Sequence, residues 1–158
     1  MFRRKQGKES EMNTVEVRWK KIREEAKLPQ YGSEDAAGAD LFACLDGSVL
    51  IEPGETVLIP TGFQMAVPKG YAGLIYARSG LASKQGLAPA NKVGVVDADY
   101  RGEVMVALHN HSDQERVVQS GDRIAQLVIT PYLRGTFTET DELDDTARGE
   151  GGFGSTGK

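Results

Sequence analysis

Three short stretches of the 158-residue chain carry side chains suited to chemistry on a polyanion. In "GVVDADYRGE" at 94–103, Asp97 and Asp99 stand beside Tyr100 in a loop between two apolar runs. A carboxylate so placed can orient or deprotonate a water molecule. Acids in loops are also ordinary turn formers, and on residue type alone both readings stand. In "RSGLASKQG", which begins at Arg78, a guanidinium, the Ser79 hydroxyl and the open backbone at Gly80 follow directly on an apolar run. That combination suits phosphate oxygens, and it equally describes a turn capped by Ser79. At the C-terminus, "RGEGGFGSTGK" holds five glycines whose N–H groups are unshielded, with Arg148 as a planar charged fork and Phe153 as a flat face for a nucleobase. By composition the same segment is a plain flexible tail. Ordering ten such residues costs on the order of 10 kcal/mol, so the tail stays loose until a ligand or a neighbouring subunit supplies interactions.

The elements that must position these groups are short strands. Apolar runs recur at 15–19, 40–43, 48–51, 56–59, 63–67, 71–77, 93–96, 104–109, 116–118 and 124–129. Turn signals separate them: Pro53-Gly54, Pro68-Lys69-Gly70, Arg101-Gly102, "NHSDQ" at 110–114 and Ser120-Gly121-Asp122. Closely spaced short strands predict an all-β sandwich or barrel. Only residues 79–85 suit a short helix, and no helical stretch of the length a βαβ unit needs lies between the strands. The core is expected over residues 14–137. Residues 1–13, polar and without period, read as a disordered N-terminal extension with Met12 as a candidate start. Residues 138–158 read as an acidic linker followed by a Gly-rich arm.

Composition excludes several classes. Glycine makes up 19 of 158 residues, about 12% against roughly 7% on average, which favours turn-rich β structure. A net charge of −4 argues against a general nucleic-acid surface. The single cysteine, Cys44, forms no internal disulfide and reads as a small buried hydrophobe. No apolar run approaches the roughly 20 residues that span a bilayer, and a cytoplasmic location is expected. His109 and His111, two apart on a strand, share a face. With no further histidine and no cysteine cluster, they read as ordinary histidines and not as a zinc site.

Taken together, five segments resemble the ordered motifs of the trimeric all-β dUTPase family. They are "AGADLFA" at 37–43, "ARSGLA" at 77–82, "GVVDADYRGE" at 94–103, "GDRIAQLVI" at 121–129 and "RGEGGFGSTG" at 148–157. The resemblance runs from about Val15 to near the C-terminus. Ala77 departs from the family's frequent Pro or Gly, and Val95-Val96 from a bulkier pair; neither touches a reacting group.

The resemblance implies a β jelly roll with a flexible Gly-rich C-terminal arm. It implies a homotrimer whose sites lie between subunits, each closed by the arm of another copy, with no nucleic-acid or membrane partner. The implied reaction is hydrolysis of dUTP to dUMP and pyrophosphate by water attack on the α-phosphorus. That reaction limits uracil incorporation into DNA and supplies dUMP for thymidylate synthesis. Asp97 is the implied catalytic carboxylate. Uracil is expected in a hairpin slot near Gly94 with Asn91 at its entrance, Tyr100 under the deoxyribose and Phe153 over the base. Arg78, Ser79, Gly80 and Gln126 are expected on the phosphates, with Arg148, Ser155 and Thr156 from the arm; Asp40 supports them. Mg2+ is implied as cofactor, held by the triphosphate and water without a direct protein ligand. Arg123 reads as an internal salt-bridge former. The rival readings are a dCTP deaminase of the same fold and a non-catalytic jelly-roll binding module.

Overall fold

The computed structural model of the chain describes residues 14–152. The N-terminal extension expected over 1–13 and the arm residues Phe153, Ser155 and Thr156 lie outside the described residues. Eleven strands and one short helix follow one another among the described residues: β1 (Arg18–Lys21), β2 (Gln30–Tyr31), β3 (Ala39–Phe42), β4 (Ser48–Ile51), β5 (Thr56–Ala66), β6 (Tyr71–Tyr76), α1 (Ser79–Gln85), β7 (Leu87–Pro89), β8 (Gly94–Val96), β9 (Glu103–Asn110), β10 (Arg116–Gln119) and β11 (Arg123–Pro131). One antiparallel sheet has the order β1-β5-β9-β7, the other β2-β3-β11-β6-β8, and β10 pairs with β4 in a separate ribbon. This is the all-β sandwich expected from the strand pattern, compatible with the jelly roll that the family resemblance implies, and the single helix lies where the sequence permitted one.

The core follows from the alternation of each strand. Along β9, Val104, Val106 and Leu108 are buried while Glu103, Met105, Ala107 and His109 lie on the other face. A period of two sends alternate side chains to opposite faces. Ile59, Phe63 and Met65 of β5 meet this row within one sheet. Leu41, Ile75, Val96, Ile124 and Leu127 come from the other sheet. Phe63, Leu41, Ile59 and Leu108 are wholly buried.

Two runs read separately in the sequence, 56–59 and 63–67, are one strand. β5 passes through Pro60-Thr61-Gly62 with a register shift against β9 between Pro60 and Gln64. Pro60 lacks a donor, but its carbonyl accepts from the Cys44 N–H at 2.8 Å. Gly62 has φ +76°, and a Cβ there would lie 2.7 Å from Cys44 Sγ. A residue with a side chain is therefore excluded twice at this bulge, by backbone conformation and by space. Cys44 is buried beside it, and burial raises its thiol pKa, with Arg23 opposing in part.

The other departures concern ends and short pieces. β1 begins at Arg18 and not at Val15, and β2 and β7, of two and three residues, were not apparent as apolar runs. Beyond β11 the described chain forms no strand; Leu133 and Phe137 there are almost wholly exposed. No helix among the described residues is long and apolar enough to cross a membrane.

Asn110, at the end of β9, is fully buried and fully used. Its Nδ2 donates to the carbonyls of Ile51 (2.9 Å) and Gln114 (2.7 Å), and its Oδ1 accepts from the Ser112 N–H (3.0 Å) and hydroxyl (2.7 Å). It ties β4, β9 and the following turn at one point. Asn110→Ala strands these partners, and a loss of at least about 2 kcal/mol is expected. Urea unfolding monitored by fluorescence measures it; a loss within error of zero would contradict the role.

Candidate active site

The turn between β7 and β8 is tight. The Lys92 N–H donates to the Pro89 carbonyl (3.1 Å), the Val93 N–H to the Asn91 carbonyl (2.7 Å), and Lys92 takes φ +64°. This turn brings Asn91 back over the start of β8: a Cβ on Gly94 would lie 3.2 Å from Asn91 Nδ2 and 3.2 Å from Ile75 Cβ. Gly94 therefore lets the amide approach the backbone. β8 pairs only with β6, so its other edge keeps unpaired backbone groups.

From Val96 the chain crosses to β9 in the other sheet through residues 97–102. The Tyr100 N–H closes a turn on the Asp97 carbonyl (3.1 Å), and Arg101 Nη1 donates to the carbonyls of Ala98 and Tyr100, both at 2.8 Å. The Tyr100 hydroxyl donates to the Glu103 carbonyl (2.9 Å), and Glu103 Oε1 accepts from the Gly62 N–H at the β5 bulge (2.8 Å). A cleft of about 310 Å³ results. Asn91, Gly94, Asp97 and Tyr100 all line it, together with Glu103 and apolar side chains that include Leu58 and Met105. Asp97 is exposed there.

A second group forms on the sheet that carries β3, β6 and β11. Asp40 Oδ1 accepts from Arg78 Nε at 2.7 Å, and Asp40 Oδ2 lies 3.4 Å from Arg123 Nη1. One carboxylate between two guanidinium groups leaves a local excess of positive charge in an acidic protein. The ion pair expected for Arg123 is thus formed, with Asp40 as its partner. Gln126, opposite Asp40 on one side and Tyr76 on the other, donates through Nε2 to the Ala77 carbonyl (2.8 Å). Its amide fixes the chain just before Arg78. A Cβ on Gly38 would overlap Gln126 Oε1 and lie 3.0 Å from its Cδ. Ser79 and Gly80 are exposed at the start of α1.

The structure thus brings Asn91, Gly94, Asp97 and Tyr100 into one cleft, and Asp40, Arg78 and Gln126 into one cluster. It does not bring the two groups into the same cleft of a single chain. Arg148 lies on the exposed terminal segment, where its Nε donates to the Gly151 carbonyl at 2.6 Å. Sequence reasoning did not single out Glu103, Gly38 or Gly102; each acts through a contact between distant or backbone atoms that residue type does not announce. His109 and His111 meet edge to face at 4.3 Å, and Thr56 Oγ1 lies 2.8 Å from His109 Nδ1. The pKa of His111 is lowered by desolvation, with Lys92 and His109 adding to it. Among the described residues no three His, Cys, Asp or Glu side chains gather as a metal cage.

Comparison with known proteins gives a consistent result. The family model for dUTPase matches residues 24–157. The chain is 49% identical over 146 residues to the deoxyuridine 5′-triphosphate nucleotidohydrolase of Syntrophotalea carbinolica, covering 92% of this chain and 99% of that protein. It is 52% identical over 149 residues to the enzyme of the same name from Desulfitobacterium hafniense, with 92% and 99% covered. Among solved structures, a Staphylococcus bacteriophage 80alpha dUTPase with dUpNHpp superposes with a TM-score of 0.79 at 28% identity, over 92% of this chain and 100% of that one. A mutant dUTPase from phage phi11 of S. aureus, described for its coordination of a structural Mg(II) ion, gives 0.74 at 25% identity, over 83% and 100%.

Gly38→Ala is expected to push Gln126 off the Ala77 carbonyl and cost about 1–3 kcal/mol, since the added methyl would also lie 3.2 Å from Gln126 Cβ, which the strand holds in place. Chemical denaturation checks this, and an unchanged midpoint would show that Gln126 is free to move.

Proposed function

The chain belongs to the dUTPase family and hydrolyses dUTP to dUMP and pyrophosphate; we propose that it does so with the nucleoside in the cleft between β8 and β9 and with Asp97 orienting the attacking water. The convergence of Asn91, Gly94, Asp97 and Tyr100 on one cleft carries this reading. At about 310 Å³ the cleft is at the small end of ligand sites, roughly 300–1,000 Å³. That suits a base and sugar with the phosphates lying beyond.

The unpaired edge of β8 and the Asn91 amide offer uracil the donors and acceptors another base would. A slot of this kind rejects cytosine because its edge leaves buried groups unpaired. Tyr100 packs beneath the deoxyribose. Asp97, exposed in the cleft, holds water against the α-phosphorus. An ordinary aspartate is a weak base, so its main contribution is orientation, with proton acceptance late in the step.

Arg78, Ser79, Gly80 and Gln126 take the phosphates. Asp40 occupies Nε of Arg78, leaving its terminal amino groups as donors to phosphate oxygens. This cluster does not share the cleft of its own chain, which supports a site completed between copies, and the family resemblance implies that the assembly is a homotrimer. The arm of another copy then closes it, with Arg148, Ser155 and Thr156 on the phosphates and Phe153 over the base. The catalytic body spans 14–137, and 138–158 is the linker and arm.

The nearby residues fit Mg2+ carried by the triphosphate. The Asp40 carboxylate is already engaged by Arg78 and Arg123, and a hard cation finds its oxygens on the phosphates and in water. Bound there, Mg2+ neutralises phosphate charge and fixes the triphosphate in one geometry. A cytoplasmic location accords with the lone buried cysteine.

Asp97→Asn is expected to lower kcat by about a hundredfold or more while dUTP binding stays near normal. Steady-state pyrophosphate release and calorimetric titration measure the two; near-normal turnover would remove Asp97 from the chemistry. Truncation before Arg148 is expected to leave a folded oligomer with little activity. A truncated protein that still turns over dUTP at full rate would show that the arm is no lid.

A further inference from the structure

Tyr100 is 45% exposed, yet its ring is not free. It folds back over its own loop and rests on the face of Gly102. A Cβ on Gly102 would overlap the Tyr100 hydroxyl and lie 2.6 Å from Cζ and 3.0 Å from Cε2. The φ of Gly102 is not in the left-handed region, so backbone conformation does not demand glycine there; space for the ring does.

The surrounding loop is tied on both sides of the ring. On the N-terminal side, Arg101 clamps the carbonyls of Ala98 and Tyr100. On the C-terminal side, Glu103 is in the β9 ladder opposite Gln64, and its carboxylate accepts the Gly62 N–H. Its carbonyl also receives the Tyr100 hydroxyl, which fixes the far end of the ring. The ring is thus located by three things: its own Cα, one hydrogen bond and the bare face of Gly102.

We propose that Gly102 is a specificity-determining residue: it is the seat that sets how deep the Tyr100 ring stands in the cleft, and so fixes the wall that separates a 2′-deoxyribose from a ribose. The inference rests on the reading that the sugar packs on Tyr100. A methyl group at position 102 lifts the ring and breaks its bond to the Glu103 carbonyl. A wall that is no longer held cannot exclude a hydroxyl, and a lifted ring also encroaches on the correct sugar.

The test is a double-mutant cycle on the full-length enzyme with Gly102→Ala, Tyr100→Ala and both together. Each variant is measured for kcat and KM with dUTP and UTP, and for affinity to a non-hydrolysable deoxyuridine triphosphate analogue by calorimetry, which still reports if turnover is lost. Gly102→Ala is expected to weaken analogue affinity and raise the dUTP KM about tenfold with a smaller change in kcat, and to narrow the preference for dUTP over UTP about tenfold. With the ring removed, the added methyl finds room, so Gly102→Ala in the Tyr100→Ala background is expected to change affinity by less than about twofold. An equal cost in both backgrounds, or no cost in either, overturns the seat. If Tyr100→Ala leaves UTP rejection unchanged, the sugar reading falls, and with it the claim of specificity; the seat itself is still judged by whether the cost of Gly102→Ala vanishes without the ring.

Discussion

Strands β8 and β9 follow one another in the chain and lie in different sheets, and the cleft depends on that crossing. Had β8 paired with β9 as a hairpin, its edge would be covered and residues 97–102 would be a surface turn. Instead the six residues from Asp97 to Gly102 bridge the sandwich, and β8 keeps an unpaired edge beside them. Asn91 reaches that edge from the preceding turn, and Asp97 and Tyr100 stand on the bridge itself. The bulge in β5 belongs to the same arrangement, because the Gly62 N–H that it exposes is what Glu103 uses to anchor the end of the bridge.

Charge is handled as locally as backbone. The chain is acidic overall, so it cannot hold a triphosphate by a general field. It places two guanidinium groups on one carboxylate, at Asp40, and fixes the adjoining backbone through Gln126. The Gln126 amide, odd in an otherwise apolar strand, is thereby explained: it sits between Asp40 and Tyr76 in the ladder and caps a carbonyl just before Arg78. Gly38 stays small to let it do so.

Much of the fold was legible because alternation is a property of adjacent residues. β4 matches its apolar run residue for residue, β6 is one residue shorter than its run, and β9 is longer than its run by one residue at each end. β2 and β7 were not legible, being too short to show a period. β5 looked like two strands because Pro60 and Gly62 are normally strand breakers; the partner for Pro60 is the Cys44 N–H, which only the folded chain supplies. The site divides in the same way. Asp97, Tyr100, Arg78 and the Gly-rich arm stood out by type and spacing, but their roles came from the family resemblance. The division of Asn91, Gly94, Asp97 and Tyr100 from Asp40, Arg78 and Gln126, and the contact between Gly102 and the Tyr100 ring, arise from sheet topology and side-chain packing that no local pattern encodes.

The burial of Cys44 has a practical side. It is the single thiol of the chain, it is packed beneath the β5 bulge, and burial disfavours its reactive thiolate form. A cysteine introduced on the surface would therefore be the one sulfur open to a maleimide dye or a spin label, without first stripping the protein of its own. One such label on the acidic linker and another beside the cleft would turn the position of the terminal segment into an optical or magnetic distance, read in solution as nucleotide is added.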